Sequence, residues 1–182
     1  ARVALIRGDN ATAKEKSFAL MGNSQFELAD DYSTIWKRTS KEIIMEWEAT
    51  VNDPLSYGFF LNGSVGRYEM PVDETLVAAF EPNDKRKDPS VGELSSPIGG
   101  FKYECKKYWI TGNGDDSWPV ARIAEAYLIY AEASGYPDGV ATLNLLRNKR
   151  GLGDISPTSE EDFLDAILSE RRVEFAFEGL RW

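Results

Sequence analysis

The last third of the chain, residues 118 to 182, most constrains the fold, because three helical patterns follow one another there with charged residues inside their apolar faces. The spacing predicts a first helix from about Pro119 to Ser134, with Pro119 in the first turn and Gly135 at the C′ position. A second runs from about Asp138 to Arg150, with Gly151 after it. A third starts at a capping box, Thr158 with Glu161, and runs to Glu178. Links this short make neighbouring helices antiparallel.

The charges decide how these helices pack. On a wheel of about 100° per residue with Phe163 at zero, Ile167, Leu164 and Phe175 fall at about 40°, 100° and 120°. Arg171, Glu174 and Glu178 fall at about 80°, 20° and 60°, inside the same stripe, while Arg172, Asp165 and Ser169 lie opposite. The segment "PVARIAEAYLIYAEAS" is apolar nearly all round, the mark of a buried helix, yet carries Glu125 and Glu132 on one stripe. Arg147 and Arg150 flank Leu143 on the second helix. Buried charges persist only when paired and hydrogen-bonded. The pattern therefore predicts a buried ionic network among Glu125, Glu132, Arg147, Arg171, Glu174 and Glu178, and a sharp fall in melting temperature for Arg171→Ala. Glycoside hydrolysis also needs carboxyl pairs, about 5–9.5 Å apart. Here the same stripe supplies arginines that neutralise the acids, and helix-packed groups rarely face an open cleft. The carboxylates are read as structural, the chain as not an enzyme, and no catalytic residue is assigned.

Composition removes other chemistries. The chain has no histidine, so it has neither a Ser-His-Asp nor a Cys-His arrangement and no imidazole zinc site. Its single cysteine, Cys105, allows no internal disulfide and sits in the strand-like "KYECKKYWI", where a structural thiol fits better than a reactive one. The net charge of −9 argues against nucleic acid as a partner. No run of 18 apolar residues exists that could span a membrane, and no signal peptide or lipid-attachment segment is visible.

Upstream, residues 1–50 read as mostly helical. "ATAKEKSFALM" forms a helix capped by Asp9 or Asn10 and stopped by Gly22, and "EIIMEWEA" favours a strand. Residues 51–117 are studded with proline and glycine, which predicts loops, short strands and one helix at "DETLVAAF". So long an irregular region is usually functional. "GNGDDS" offers Asn113, Asp115 and Asp116 as oxygen ligands, but lacks the EF-hand spacing and its closing glutamate. It is read as a solvated turn, and neither metal nor cofactor is expected. The helix pairs at both ends suggest tetratricopeptide-like hairpins, without a clean 34-residue repeat.

In order and spacing, "WPVARIAEAYLIYAEA", "LNLLRNKRGL" and "AILSERRVEFAFEGLRW" resemble the C-terminal signature of the SusD/RagB family. Upstream, "ARVALIRGDNATA", "YSTIWKRTSKEIIMEW", "EMPVDETLVAAFEPNDKRK" and "KYWITGNGDDSWPVARIAEAYLIYAEA" resemble consecutive blocks of that family, so the resemblance covers nearly the whole chain. It implies a mainly α, SusD-like fold, a single domain over 1–182 in which tetratricopeptide-like hairpins (1–50 and 118–182) frame the loop-rich part (51–117). It implies an outer-membrane lipoprotein at the cell surface that binds a glycan, starch-like or another polysaccharide, or sometimes a peptide. The ligand is passed to a SusC-type TonB-dependent transporter. Whole members carry a signal peptide, a lipidated cysteine and more residues at both ends, so the sequence is read as a fragment whose membrane link lies outside it. The family's motifs fix no ligand residues. The irregular region supplies the candidates: in "YGFFLNGSVGRYE", Tyr57, Phe59 (or Phe60) and Tyr68 could stack on sugar faces, and Asn62 and Arg67 could bind hydroxyls. The competing function class is a helical-repeat scaffold that binds only protein, and saccharide titration separates the two.

Overall fold

A computed structural model describes residues 1–36, 40–53, 60–64, 66–108 and 117–180 of the 182-residue chain. Among the described residues the helices are α1 (Arg2–Ile6), α2 (Asn10–Met21), α3 (Glu74–Val77), α4 (Lys87–Ser90), α5 (Ile123–Ser134), α6 (Val140–Lys149) and α7 (Glu160–Glu174). The strands are β1 (Ile43–Trp47), β2 (Val91–Ile98), β3 (Phe101–Cys105) and β4 (Trp118–Arg122), paired as two antiparallel ribbons, β1–β4 and β2–β3. The chain is mainly helical with a few short strands.

α5 is the hub. Its Ala-rich, apolar sequence buries Ile123, Ala124, Ala126, Leu128, Ile129 and Ala131, and it packs against α2, α6 and α7. Small side chains let α2 approach closely, while Leu143, Leu146, Phe163, Ile167 and Phe175 fill the space between α5, α6 and α7. The α5–α6 link is tight enough to demand glycine. A Cβ on Gly139 would lie 2.1 Å from the Ala131 carbonyl oxygen and 2.7 Å from the Phe163 ring. At the other end of the chain, α2 begins where the Asp9 side chain accepts from Thr12 N at 3.1 Å and ends at Gly22.

Two helix boundaries differ from the sequence expectation. Residues 119–122 are not the first turn of α5 but strand β4, with Ile43 opposite Arg122, Glu46 opposite Pro119 and Trp47 opposite Trp118. Proline is tolerated there because a two-stranded ribbon has only edges. The helix starts after Arg122, where Ile123 N donates to the Glu42 carbonyl at 2.8 Å. α7 is capped one residue later than expected. Ser159 Oγ accepts from Asp162 N at 3.1 Å, and Thr158 Oγ1 donates to Asp162 Oδ2 at 2.5 Å. It also ends at Glu174 rather than Glu178, because the Glu174 carbonyl is taken from outside the helix. Tyr32 Oη, Lys107 Nζ and Arg122 Nη2 donate to it at 3.0, 3.1 and 3.0 Å. Glu178 N, which would bond that carbonyl in a continuing helix, bonds Phe175 O at 3.0 Å instead.

The loop-rich part has its own fixed points. β2 and β3 form a hairpin whose two turn residues, Gly99 and Gly100, have φ of 58° and 88°, as a two-residue turn with both central φ positive requires. The Glu104 carboxylate on β3 gathers Gly63 N, Ser64 N and Ser64 Oγ, each at 2.7 Å, and so pins the 60–64 segment beneath the hairpin. The expected helix in "DETLVAAF" is the single turn α3, capped by Asp73 on Thr75 N at 2.7 Å.

Candidate functional site

The densest polar assembly is a buried ionic core at the C-terminal end of α7. Glu174 and Glu178 come from that end, Arg122 from β4, Arg150 from the end of α6, and Glu42 from the residue before β1. Arg122 uses all five guanidinium N–H groups. It donates to Glu178 Oε2 and Oε1 at 2.8 and 2.9 Å, Glu42 Oε1 at 2.5 Å, Glu174 Oε1 at 2.8 Å and the Glu174 carbonyl at 3.0 Å. Arg150 donates to Glu174 Oε2 and Oε1 at 3.0 and 2.8 Å and to Glu42 Oε1 at 2.6 Å. Lys107 Nζ reaches Glu178 at 2.8 Å and lies 4.8 Å from the Trp36 ring centre. On the far side, Arg86 bonds Asp84 at 2.8 Å and Glu174 at 3.1 Å and also pairs with Glu170, which passes the chain to Arg147 at 2.9 Å.

The five bases Arg86, Lys107, Arg122, Arg147 and Arg150 thus meet the five buried acids Glu42, Asp84, Glu170, Glu174 and Glu178, and Arg147 also reaches a sixth, the half-exposed Glu81, at 2.8 Å. The buried members balance five against five, so charge and not only geometry is satisfied. Burial pushes the Glu174 carboxyl upward, but Arg150, Arg122 and Arg86 outweigh it and hold it well below the usual carboxylate range. Burial also works against the Arg122 cation, and Glu178 and Glu174 outweigh it and keep it charged. Each carboxylate of this core is ion-paired, so the arrangement holds the frame.

The six residues expected to form one network fall into three ion-paired groups. Glu174 and Glu178 are central, and Arg147 joins them through Glu170 and Arg86. Arg171 instead pairs with Glu132 at 2.8 Å on the rim, and Glu125 pairs with Arg2 at 2.6 Å beside α1. The predicted set lacks Glu42, Asp84, Arg86, Lys107, Arg122 and Glu170, and also Arg150, which the helix pattern places beside Leu143 but not in the network. Glu170 was within reach: the same wheel puts it at about −20°, beside Phe163. Arg122 was hidden by assigning its segment to a helix. Arg86, Lys107 and Glu42 sit in irregular stretches with no periodicity to betray them.

Of the expected ligand residues, Tyr57 and Phe59 lie outside the described residues, as do Asn113, Asp115 and Asp116 of "GNGDDS". Asn62 is buried, and its Nδ2 donates to the Cys105 carbonyl at 3.5 Å. Tyr68 is buried too, with φ of 51°, and its hydroxyl donates to the Tyr103 carbonyl at 2.5 Å. Arg67 is exposed, pairs with Glu69, and lies 5.9 Å from the Phe60 ring centre. Asn62 and Tyr68 therefore hold the irregular part together, and Arg67 is the described member of the set that reaches solvent.

An aromatic series leads from the ionic core to the surface. Ring centres step from Tyr32 to Trp36, Tyr108 and Trp118 at 6.0, 5.7 and 6.2 Å. It emerges at an open groove of about 430 Å³ lined by Arg2, Trp47, Trp118, Pro119, Val120, Glu178 and Leu180. Among the described residues no group of three or more Cys, Asp or Glu side chains is placed to hold a metal ion. No helix among them is long and apolar enough to cross a membrane.

A sequence profile of the SusD family matches residues 77–182. No curated protein matches the chain. Among solved structures, the fold is similar to a SusD-like carbohydrate binding protein from Bacteroides vulgatus, at 25% identity and TM-score 0.81, over 98% of this chain and 41% of that one. It is similar to a laminarin binding SusD-like protein at 24% identity and TM-score 0.80, over 99% of this chain and 51% of that one. It is also similar to surface glycan-binding protein A from Bacteroides thetaiotaomicron in complex with laminarihexaose, at 21% identity and TM-score 0.79, over 98% of this chain and 50% of that one. The chain spans about half the length of the structures it matches.

Proposed function

The chain belongs to the SusD family, and from that premise we propose that it serves to capture a glycan at the cell surface and pass it to a SusC-type TonB-dependent transporter. Family membership is the observation that carries this reading. It is supported by the likeness of the fold to structures named as carbohydrate-binding, laminarin-binding and glycan-binding. The chemistry is consistent. The concentrated carboxylates are neutralised inside the frame, and sugar recognition needs aromatic faces and hydrogen-bonding edges, not a titrating group. The protein acts as a binder and not as an enzyme. Its membrane attachment is through a lipid, and the helices around α5 are tetratricopeptide-like hairpins that present the ligand surface. Starch-like and other neutral glucans are the first ligands to test.

Calorimetric titration of the intact protein with neutral oligosaccharides tests the binding, and co-purification with the transporter tests the partnership. Saccharide binding together with transporter retention is the expected result. Transporter retention without binding of any saccharide or peptide would replace this reading with a scaffold that engages only protein.

A further inference from the structure

We infer that the groove beside the β1–β4 ribbon, closed by Arg2 and Leu180, is a saccharide subsite, with Trp47 as its stacking platform and Arg2 as its hydrogen-bonding edge. This rests on the glycan-binding reading above and names a site for it.

Three observations converge there. Trp47 and Trp118 stand directly opposite each other on β1 and β4. Opposed residues of an antiparallel pair project to the same face with Cβ atoms about 4.5–5.5 Å apart, so the two indoles share one side of the ribbon. Their exposures differ in a useful way. Trp118 is half-buried and held against Tyr108, whereas Trp47 is 66% exposed. A large apolar ring left in water on a rigid strand is a costly feature that ligand burial would relieve. The ribbon backing it is fixed, because Arg122 and Glu42 at its far end are locked into the ionic core.

Arg2 supplies the polar side. Its Nε and Nη2 are committed to Glu125 at 2.6 Å each, and Nη2 also donates to the Val120 carbonyl at 2.9 Å. Among the described residues its Nη1 has no partner, which leaves two N–H donors on a guanidinium already oriented by an ion pair. Donors of this kind suit sugar hydroxyls, and the indole faces suit the C–H face of a pyranose. A volume of about 430 Å³ suits a short stretch of oligosaccharide rather than a single small ion. The net charge of −9 disfavours a polyanionic chain, so the ligand is a neutral glycan.

The test is calorimetry of the intact protein with laminarihexaose and a panel of neutral oligosaccharides. Trp47→Ala, an exposed change that should fold normally by circular dichroism, is expected to weaken binding about tenfold or more. Trp47→Phe should retain most of the affinity, and Leu145→Ala, exposed on α6, should leave it unchanged. Acrylamide should quench wild-type fluorescence more than that of unliganded Trp47→Phe, and ligand should remove the difference. Equal affinity in Trp47→Ala and wild type overturns this site while leaving glycan binding standing. A Trp47 contribution already shielded in the unliganded protein overturns it as well, because protein then covers the groove. Failure of wild type to bind any saccharide withdraws both the site and the reading beneath it.

Discussion

Glu174 shows how one residue can set both a charge balance and a helix end. Its carboxylate takes Arg122, Arg150 and Arg86, and its carbonyl takes Tyr32, Lys107 and Arg122. Removing one partner from such a set strands the others, which typically costs about 3–5 kcal/mol. Arg122→Ala and Glu174→Gln should each destabilise on that order in denaturant unfolding at neutral pH. Arg171→Ala should cost about 1–2 kcal/mol, because its partner Glu132 is a third exposed and solvent shares the loss. The reverse ranking would mean that the rim pair, not the core, carries the frame. The wheel found Glu174 and Glu178 on the packing side but could not say which cations they meet. Three of those cations come from residues far away in sequence, and helical periodicity reports only a residue's own face. Cys105 gives a further residue-scale expectation. Burial pushes its thiol up to about 12, so almost no thiolate exists at pH 8. Iodoacetamide should leave it unmodified in the native protein and label it fully in denaturant. Fast native labelling would show that its burial is breached.

The short elements fix where these residues stand. The α5–α6 corner turns on Gly139, whose missing Cβ lets its backbone sit against Ala131 and Phe163. Gly139→Ala would force a backbone carbonyl aside, and it should lower stability by about 2 kcal/mol or more, read as a drop in melting temperature. Gly153→Ala, with nothing near its Cβ, should not. Helix positions were legible where the sequence carries a cap or a stop, as with Asp9 and Gly22 at the two ends of α2, Gly151 after α6 and Ser159 before α7. β4 was not legible. Its proline and the apolar run after it also fit a helix start, and only pairing with β1, more than 70 residues away, makes it a strand. The Gly99–Gly100 turn reads in sequence as one breaker among many and becomes a hairpin only because β2 and β3 flank it. The candidate site was the least legible part. Asn62 and Tyr68 look like ligand residues by type but are held inside by contacts to β3. Trp47 and Trp118, 71 positions apart, become neighbours only through strand register.

For the molecule as a whole, the neutral ionic core separates two kinds of electrostatics. The buried five-against-five assembly contributes nothing to the net charge of −9, and the exposed charges outside it are screened by salt. The core is buried and is screened little. The two should therefore respond to different variables. Salt should act on the surface, and acid should act on the core through Glu174. That carboxyl is held well below its unfolded value by three arginines. A depressed folded value means that its contribution is fully present above the unfolded carboxylate pKa of about 4.3 and is lost as pH falls from there through the folded value. Glu174→Gln lacks the contribution at every pH. The melting-temperature gap between wild type and Glu174→Gln should thus stay constant from about pH 7.5 to 5.5 and narrow below about pH 4. It should change little when salt rises from about 0.05 to 0.5 M at pH 7. Differential scanning calorimetry over that grid makes the comparison. A gap that closes with salt but not with acid would place Glu174 among the screened surface charges and undo the buried-core account.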